Sequence, residues 1–168
     1  MSCLGVLFAV SEAEVNKLRG TDIDSRVDFI YEEIEEKWFE EYPGRTCELD
    51  KSWESMHRLL TDGTLSFGGK DPLAFAVLGG EVLYYDDDHD DYIITAKTPQ
   101  QVKAVYEALT KLTDEEIRRR YDAIPDDEYG MFKNEEDFEY TLEYLKDSLE
   151  FWKNAAADGL WVLFTADQ

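Results

Sequence analysis

The order of the hydrophobic patterns constrains the fold of this chain more than any single motif does. A continuously apolar run at residues 4–10 predicts a buried first strand. Two strand patterns, at 81–85 and 92–96, stand in the middle of the chain, and a last one lies at 160–165. Helical patterns fill the intervals without regular βαβ alternation. This order predicts an α+β fold: residues 1–168 form a single compact domain, with a small mixed or antiparallel sheet of about four strands covered by helices.

Capping signals place the starts of the main helices. Ser11 and Glu14 have the spacing of a capping box, which satisfies two amides at the start of a short helix. A recurring apolar stripe predicts one continuous helix over 25–42. Asp50 is predicted to cap the helix that carries the next stripe, and Asn134 to cap the longest helix of the chain.

The charge of the chain narrows the choice of partners. The 39 acidic and 17 basic residues give a formal net charge of −22. Such a field repels nucleic-acid phosphates and anionic lipid, so we expect neither nucleic-acid nor membrane binding. It would attract a basic protein, although the same charge also serves plain solubility. The acid run at 32–41 is interpreted as the solvated face of its helix.

Cysteine content and the apolar runs indicate the compartment. Cys3 and Cys47 are too few for a disulfide framework or a zinc site, and both are interpreted as buried small hydrophobic residues. The first apolar run is too short for a signal-peptide core, and no run approaches the roughly 20 residues of a membrane span. The chain is therefore predicted to be cytoplasmic. The glycines between 63 and 80 match neither phosphate-binding fingerprint, so we predict no cofactor.

An acidic hairpin loop is the first candidate site. It consists of Asp86, Asp87, Asp88, His89, Asp90 and Asp91. We predict that these six residues contact a basic partner. Alternatively, Asp86, Asp88 and Asp90 supply oxygen ligands to a weakly bound calcium or magnesium ion, although the spacing does not fit an EF-hand. A solvated hairpin tip is the structural alternative.

His57 is the second candidate. Helical geometry places it on one face with Trp53, and Asp50 lies further towards the N-terminus of the same helix. An imidazole titrates near neutral pH, so His57 with Asp50 could act as a general base in a small enzyme. The structural alternative is a histidine that is hydrogen-bonded inside a helix interface. Because no nucleophile motif accompanies it, the residues favour the structural role.

The segment around His57 resembles a known family. LDKSWESMHRLLTDG followed by DPLAFAVLGG is similar to the YfbM-like family, a bacterial group whose domain has no known function. The matching positions are Asp50, Lys51, Trp53, His57, Leu60, Thr61, Pro72, Leu73, Leu78 and Gly79. The later YDAIPDDEYGMF also looks similar. The resemblance implies a compact α+β domain and no established activity.

Three functional hypotheses follow from the sequence. The first is a non-enzymatic binding module, of the immunity or antitoxin type, that takes a basic protein as its partner. The second is a small enzyme with a pocket around His57. The third is a divalent-cation site at 86–91. The sequence leaves the partner, the substrate and the oligomeric state open.

Overall fold

The computed structural model describes residues 4–86, 88 and 92–167, and within them five strands form one antiparallel sheet. The strands are β1 (Leu4–Val10), β2 (Thr46–Asp50), β3 (Glu81–Tyr85), β4 (Tyr92–Lys97) and β5 (Trp161–Asp167). Their order in the sheet is β2-β1-β5-β4-β3. The first and last strands, β1 and β5, therefore pair with each other inside the sheet. The predicted α+β fold is confirmed, with five strands where about four were expected.

Helices cover both faces of the sheet. They are α1 (Glu12–Gly20), α2 (Arg26–Phe29), α3 (Glu36–Glu41), α4 (Trp53–Leu60), α5 (Pro99–Thr110), α6 (Asp114–Asp122), α7 (Asp126–Tyr129) and α8 (Glu135–Ala157). A π-helix (Ile30–Glu35) joins α2 to α3, and short 3₁₀ turns lie at Ile23–Ser25, Pro43–Arg45, Pro72–Ala76 and Gly130–Phe132. The capping box at Ser11 and the Asn134 cap are confirmed, since each side chain accepts a hydrogen bond from a main-chain amide in the first turn of its helix.

Alternation along β1 divides the core into two layers. Leu7 and Ala9 are buried against α4, α5 and α8, whereas Phe8 and Val10 are buried against α1 and the helical run 26–41. Because both faces of β1 carry apolar side chains, the sheet needs cover on both sides, and the helices provide it. In the described part of the chain, none of the helices has the length and apolar character that crossing a bilayer demands.

The prediction that Asp50 caps a helix is wrong. Asp50 ends β2, and α4 begins at Trp53 with Ser52 at the cap position. The strand was missed because it lies at the sheet edge and buries only Leu49, so its sequence lacks a clear alternation.

The predicted helix over 25–42 is interrupted by a π-helix. The apolar stripe is nevertheless buried as expected, with Ile30, Ile34 and Trp38 in the core. The indole of Trp38 donates a hydrogen bond to the carbonyl of Ala9 at 2.8 Å, which fixes the helical run against β1. Single π-turns of this kind are rare and occur frequently at functional sites.

Candidate functional site

His57 is buried, and main-chain groups occupy both nitrogens of its ring. The residue is 1% exposed, and it is not part of the walls of five cavities in the described part of the chain. Nε2 lies 3.1 Å from the carbonyl of Ser66, which can only accept, and Nδ1 lies 3.4 Å from the amide of Leu78, which can only donate. These partners fix the neutral Nε2–H tautomer. The lone pair that a general base would use is therefore occupied.

A second buried titratable residue binds the same peptide group. Lys97 is fully buried, and its Nζ donates to the carbonyl of Val77 at 2.5 Å and to the hydroxyl of Thr95 at 2.5 Å. The Val77 carbonyl and the Leu78 amide belong to one peptide bond, so Lys97 and His57 hold its two ends. Burial lowers the pKa of Lys97 well below its usual value and lowers that of His57 to about 4.

The acidic hairpin loop is described only in part. Asp86 accepts a hydrogen bond at 2.9 Å from the amide of Asp88, whose side chain is exposed. The predicted site residues Asp87, His89, Asp90 and Asp91 lie outside the described residues. Within 4–86, 88 and 92–167, no group of three metal-ligating side chains has suitable geometry. The partner-binding and ion-binding hypotheses for this loop stay predictions.

A different group of acidic residues surrounds a cavity at one end of the sheet. The cavity has a volume of about 270 Å³ and lies where β1 and β4 begin and where β2 and β5 end. We call it the acidic cavity. Its carboxylates are Glu35, Glu48, Asp50 and Asp167, its hydroxyl-bearing residues are Tyr31, Tyr92, Tyr144 and Thr165, and its remaining walls are Leu4, Gly5, Val6 and Phe39. No lysine or arginine is among these lining residues.

Strand pairing brings the acidic cavity together. Asp167, near the end of the chain, lies in register between Leu4 on β1 and Tyr92 on β4. The helical run 26–41 then adds Tyr31 and Glu35 from above the sheet. The rings of Tyr31 and Tyr92 meet edge to face at 5.8 Å. Aromatic rings and carboxylates thus share one wall of the cavity.

The walls of the acidic cavity contain carboxylates but no basic side chain that would balance their charge. Burial, and then the charge of Asp167, raises the pKa of Glu35. Burial followed by the same carboxylates raises the pKa of Tyr31. Each shift favours the uncharged form of its group. An added cation would act in the opposite direction and favour the ionised carboxylates.

Asp50 contributes to the acidic cavity from a strained backbone. Among the described residues it is the one non-glycine with positive φ, at 50°. Its carboxylate accepts hydrogen bonds from its neighbour Lys51 (main-chain amide, 2.7 Å) and from the hydroxyl of Tyr144 (3.3 Å). Conformations of this kind cost about 1–3 kcal/mol and cluster at functional sites. Asp50, a candidate partner of His57 at the sequence level, thus lies in the wall of the acidic cavity.

The other members of the acidic cavity were missed at the sequence level. Glu35 was assigned to a solvated acid run, yet it is half-buried in the cavity wall. Tyr92 and Tyr144 were not among the candidate site residues. Tyr31 and Glu35 stand four residues apart, in a stretch where the other acidic residues face solvent. This spacing was the available signal in the sequence.

The fold and the cavity together define an α+β protein with one open antiparallel sheet, helices on both faces, and an acidic, tyrosine-lined cavity at the sheet end. The chain belongs to the family described as Domain of unknown function (DUF1877), whose model matches residues 1–165. The YfbM-like resemblance is therefore confirmed.

A solved structure supports the same fold. The protein of unknown function YfbM from Escherichia coli superposes with a TM-score of 0.70 at 19% sequence identity, over 97% of this chain and 99% of that chain. At this identity the likeness shows the fold alone. None of the curated proteins matches this chain.

Proposed function

We propose that this protein is a non-enzymatic binding module, of the immunity or antitoxin type, that takes a basic protein as its partner in the cytoplasm. The observation that carries the proposal is the acidic cavity, where four carboxylates and three tyrosines face one space and the lining contains no basic side chain. The net charge of −22 supports it, because such a field steers a basic partner. Two cysteines in 168 residues suit a reducing compartment.

The cavity suits the end of one lysine or arginine side chain. Carboxylates form charge-assisted hydrogen bonds with ammonium and guanidinium groups, and tyrosine rings attract the same cations. A volume of about 270 Å³ admits a side chain but not a folded segment. Its carboxylates do not form a three-ligand metal group among the described residues. An organic cation therefore fits better than a metal ion.

Peptide selection tests this proposal without a known partner. Random linear peptides displayed on phage are selected on the wild-type protein, and the affinity of the enriched synthetic peptides is measured by calorimetry. We expect enrichment of lysine or arginine. The double variant Glu35→Gln/Asp167→Asn should bind about 10- to 100-fold more weakly, the usual value of hydrogen bonds to a charged group.

A charge-matched variant separates the cavity from the general field. Glu40→Gln/Glu41→Gln removes two charges from exposed positions of the same helical run, outside the walls of the described cavities. It should weaken binding by less than about 3-fold, the order expected of exposed charges. Equal losses in the two double variants would show attraction to the net charge alone and would reject the cavity as the binding site.

A further inference from the structure

A second concavity lies beside the acidic cavity. It is an open groove of about 720 Å³ between the start of α4 and the start of α8. Its apolar walls are Trp53, Tyr129, Met131, Phe132 and Tyr140. We call it the aromatic groove.

Large apolar side chains are exposed at the rim of the aromatic groove. Met131 is 87% exposed and Phe132 is 53% exposed, and the two are consecutive. Phe132 rests on the ring of Tyr129, with a centroid distance of 5.3 Å. Adjacent exposed apolar residues beside a concavity mark interaction sites, and methionine adapts its shape to varied partners.

The charges around the aromatic groove specify its occupant. Glu54, Glu136 and Asp137 line it with a single basic residue, Lys51. Asp137 accepts hydrogen bonds from the hydroxyls of two tyrosines, at 2.5 and 3.2 Å. A second copy of this chain would bring another net charge of −22 against this rim. A basic segment with a large apolar side chain fits both the walls and the rim.

The two concavities share a wall. Asp50 lines the acidic cavity and its neighbour Lys51 lines the aromatic groove. On α8, Tyr144 lines the acidic cavity and Tyr140, one turn away, lines the aromatic groove. Their rings lie 5.0 Å apart. The hydroxyl of Tyr140 lies 3.3 Å from the amide of Lys51, so it holds this dividing wall to the end of β2.

We propose that the aromatic groove and the acidic cavity form one continuous docking surface for a single segment of a basic protein. The segment places a large apolar side chain in the groove and a lysine or arginine in the cavity, with the Tyr140–Tyr144 wall between them. This inference rests on the proposed function, and it adds the second contact and the chemical pattern that a partner must carry.

The selected peptides test this surface. We expect them to carry a large apolar residue at a constant separation from the basic residue. The variant Met131→Ser/Phe132→Ser should lower their affinity about 10- to 100-fold, as the loss of buried apolar area predicts. Ile23→Ser, at a residue 57% exposed elsewhere on the surface, is the matched control and should change affinity less than about 2-fold. Thermal unfolding of each variant confirms that it is folded.

Two outcomes would overturn the inference, and they differ in what they leave standing. If Glu35→Gln/Asp167→Asn weakens binding while Met131→Ser/Phe132→Ser has the small effect of Ile23→Ser, the cavity acts alone and the proposed function survives. If the Met131 and Phe132 substitutions weaken binding while neutralising Glu35 and Asp167 does not, the proposed function fails with the inference. A peptide whose apolar residue is replaced by serine should be insensitive to the Met131 and Phe132 substitutions, which shows direct contact.

Discussion

Replacing His57 with glutamine should change how the stability of this protein depends on pH. In the folded protein the imidazole is neutral, because its Nε2–H donates to the Ser66 carbonyl and its Nδ1 accepts from the Leu78 amide. Protonation of Nδ1 would break the second hydrogen bond and place a charge in the core. The nearby cation Lys97 also opposes protonation, while Asp62 favours it from the surface.

The magnitude follows from the pKa of His57. Burial lowers this pKa from 6.5 to about 4 in the folded state, so the unfolded chain binds the proton more readily. Stability is therefore complete above pH 6.5 and is lost as the pH falls towards 4. The full loss is about 3 kcal/mol, of which about 2 kcal/mol is expressed between pH about 7.5 and pH about 5.

Urea denaturation followed by tryptophan fluorescence measures this effect. The wild type and His57→Gln are compared at each pH, so that changes in carboxylate ionisation, common to both proteins, cancel in the difference. Replacing His89 with glutamine in both proteins leaves His57 as the one imidazole that distinguishes them. The stability advantage of the protein with His57 should shrink by about 2 kcal/mol on acidification.

A constant difference between the two proteins would refute the assignment. It would mean that His57 accepts a proton as easily in the folded chain as in the unfolded one, and hence that the Leu78 amide does not occupy Nδ1. The long-range ¹H–¹⁵N spectrum of the imidazole provides the independent check, because it separates the protonated ring nitrogen from the unprotonated one.

The remaining predictions concern the core, a turn and the acidic cavity. Lys97→Met should remove a stability increase that the wild type shows as the pH rises towards 10.5, the ordinary pKa of a lysine, since burial lowers the pKa of Lys97 in the folded state; paired urea titrations measure it. Gly80→Ala should destabilise by at least about 2 kcal/mol in the same assay, because φ is +124° and a Cβ would collide with the Ala96 carbonyl. Glu35→Gln should raise the melting temperature slightly, which corresponds to a gain of less than about 1 kcal/mol in the free energy of unfolding, because it removes a half-buried charge beside Asp167.

Local signals in the sequence predicted the parts of the fold that depend on local physics. The Asn134 cap and the long helix after it need only neighbouring residues, as does the apolar strand β1. The edge strand β2 was not predicted, because pairing with β1 rather than its own pattern makes it a strand. A strand of that kind is set by tertiary context.

The acidic cavity was beyond sequence reasoning for the same physical reason. Asp167 reaches Leu4 through pairing between the two ends of the chain, a contact with no local signature. Glu35 faces the cavity from a π-helix, whose wider turn departs from the 3.6-residue periodicity used to assign faces. His57 was expected to be hydrogen-bonded inside a helix interface, and it is buried with main-chain groups on both ring nitrogens.

The two effects expected of Glu35→Gln connect stability with binding. In the unbound protein the ionised Glu35 lies beside Asp167, and burial and repulsion both act against its charge. A cation in the cavity would turn this unfavourable charge into an attractive one, so the same substitution should stabilise the fold and weaken the complex. A carboxylate that served only the fold would change stability in the other direction and leave peptide affinity unaltered. Opposite signs in the two measurements are the signature of a residue kept for binding at some cost in stability.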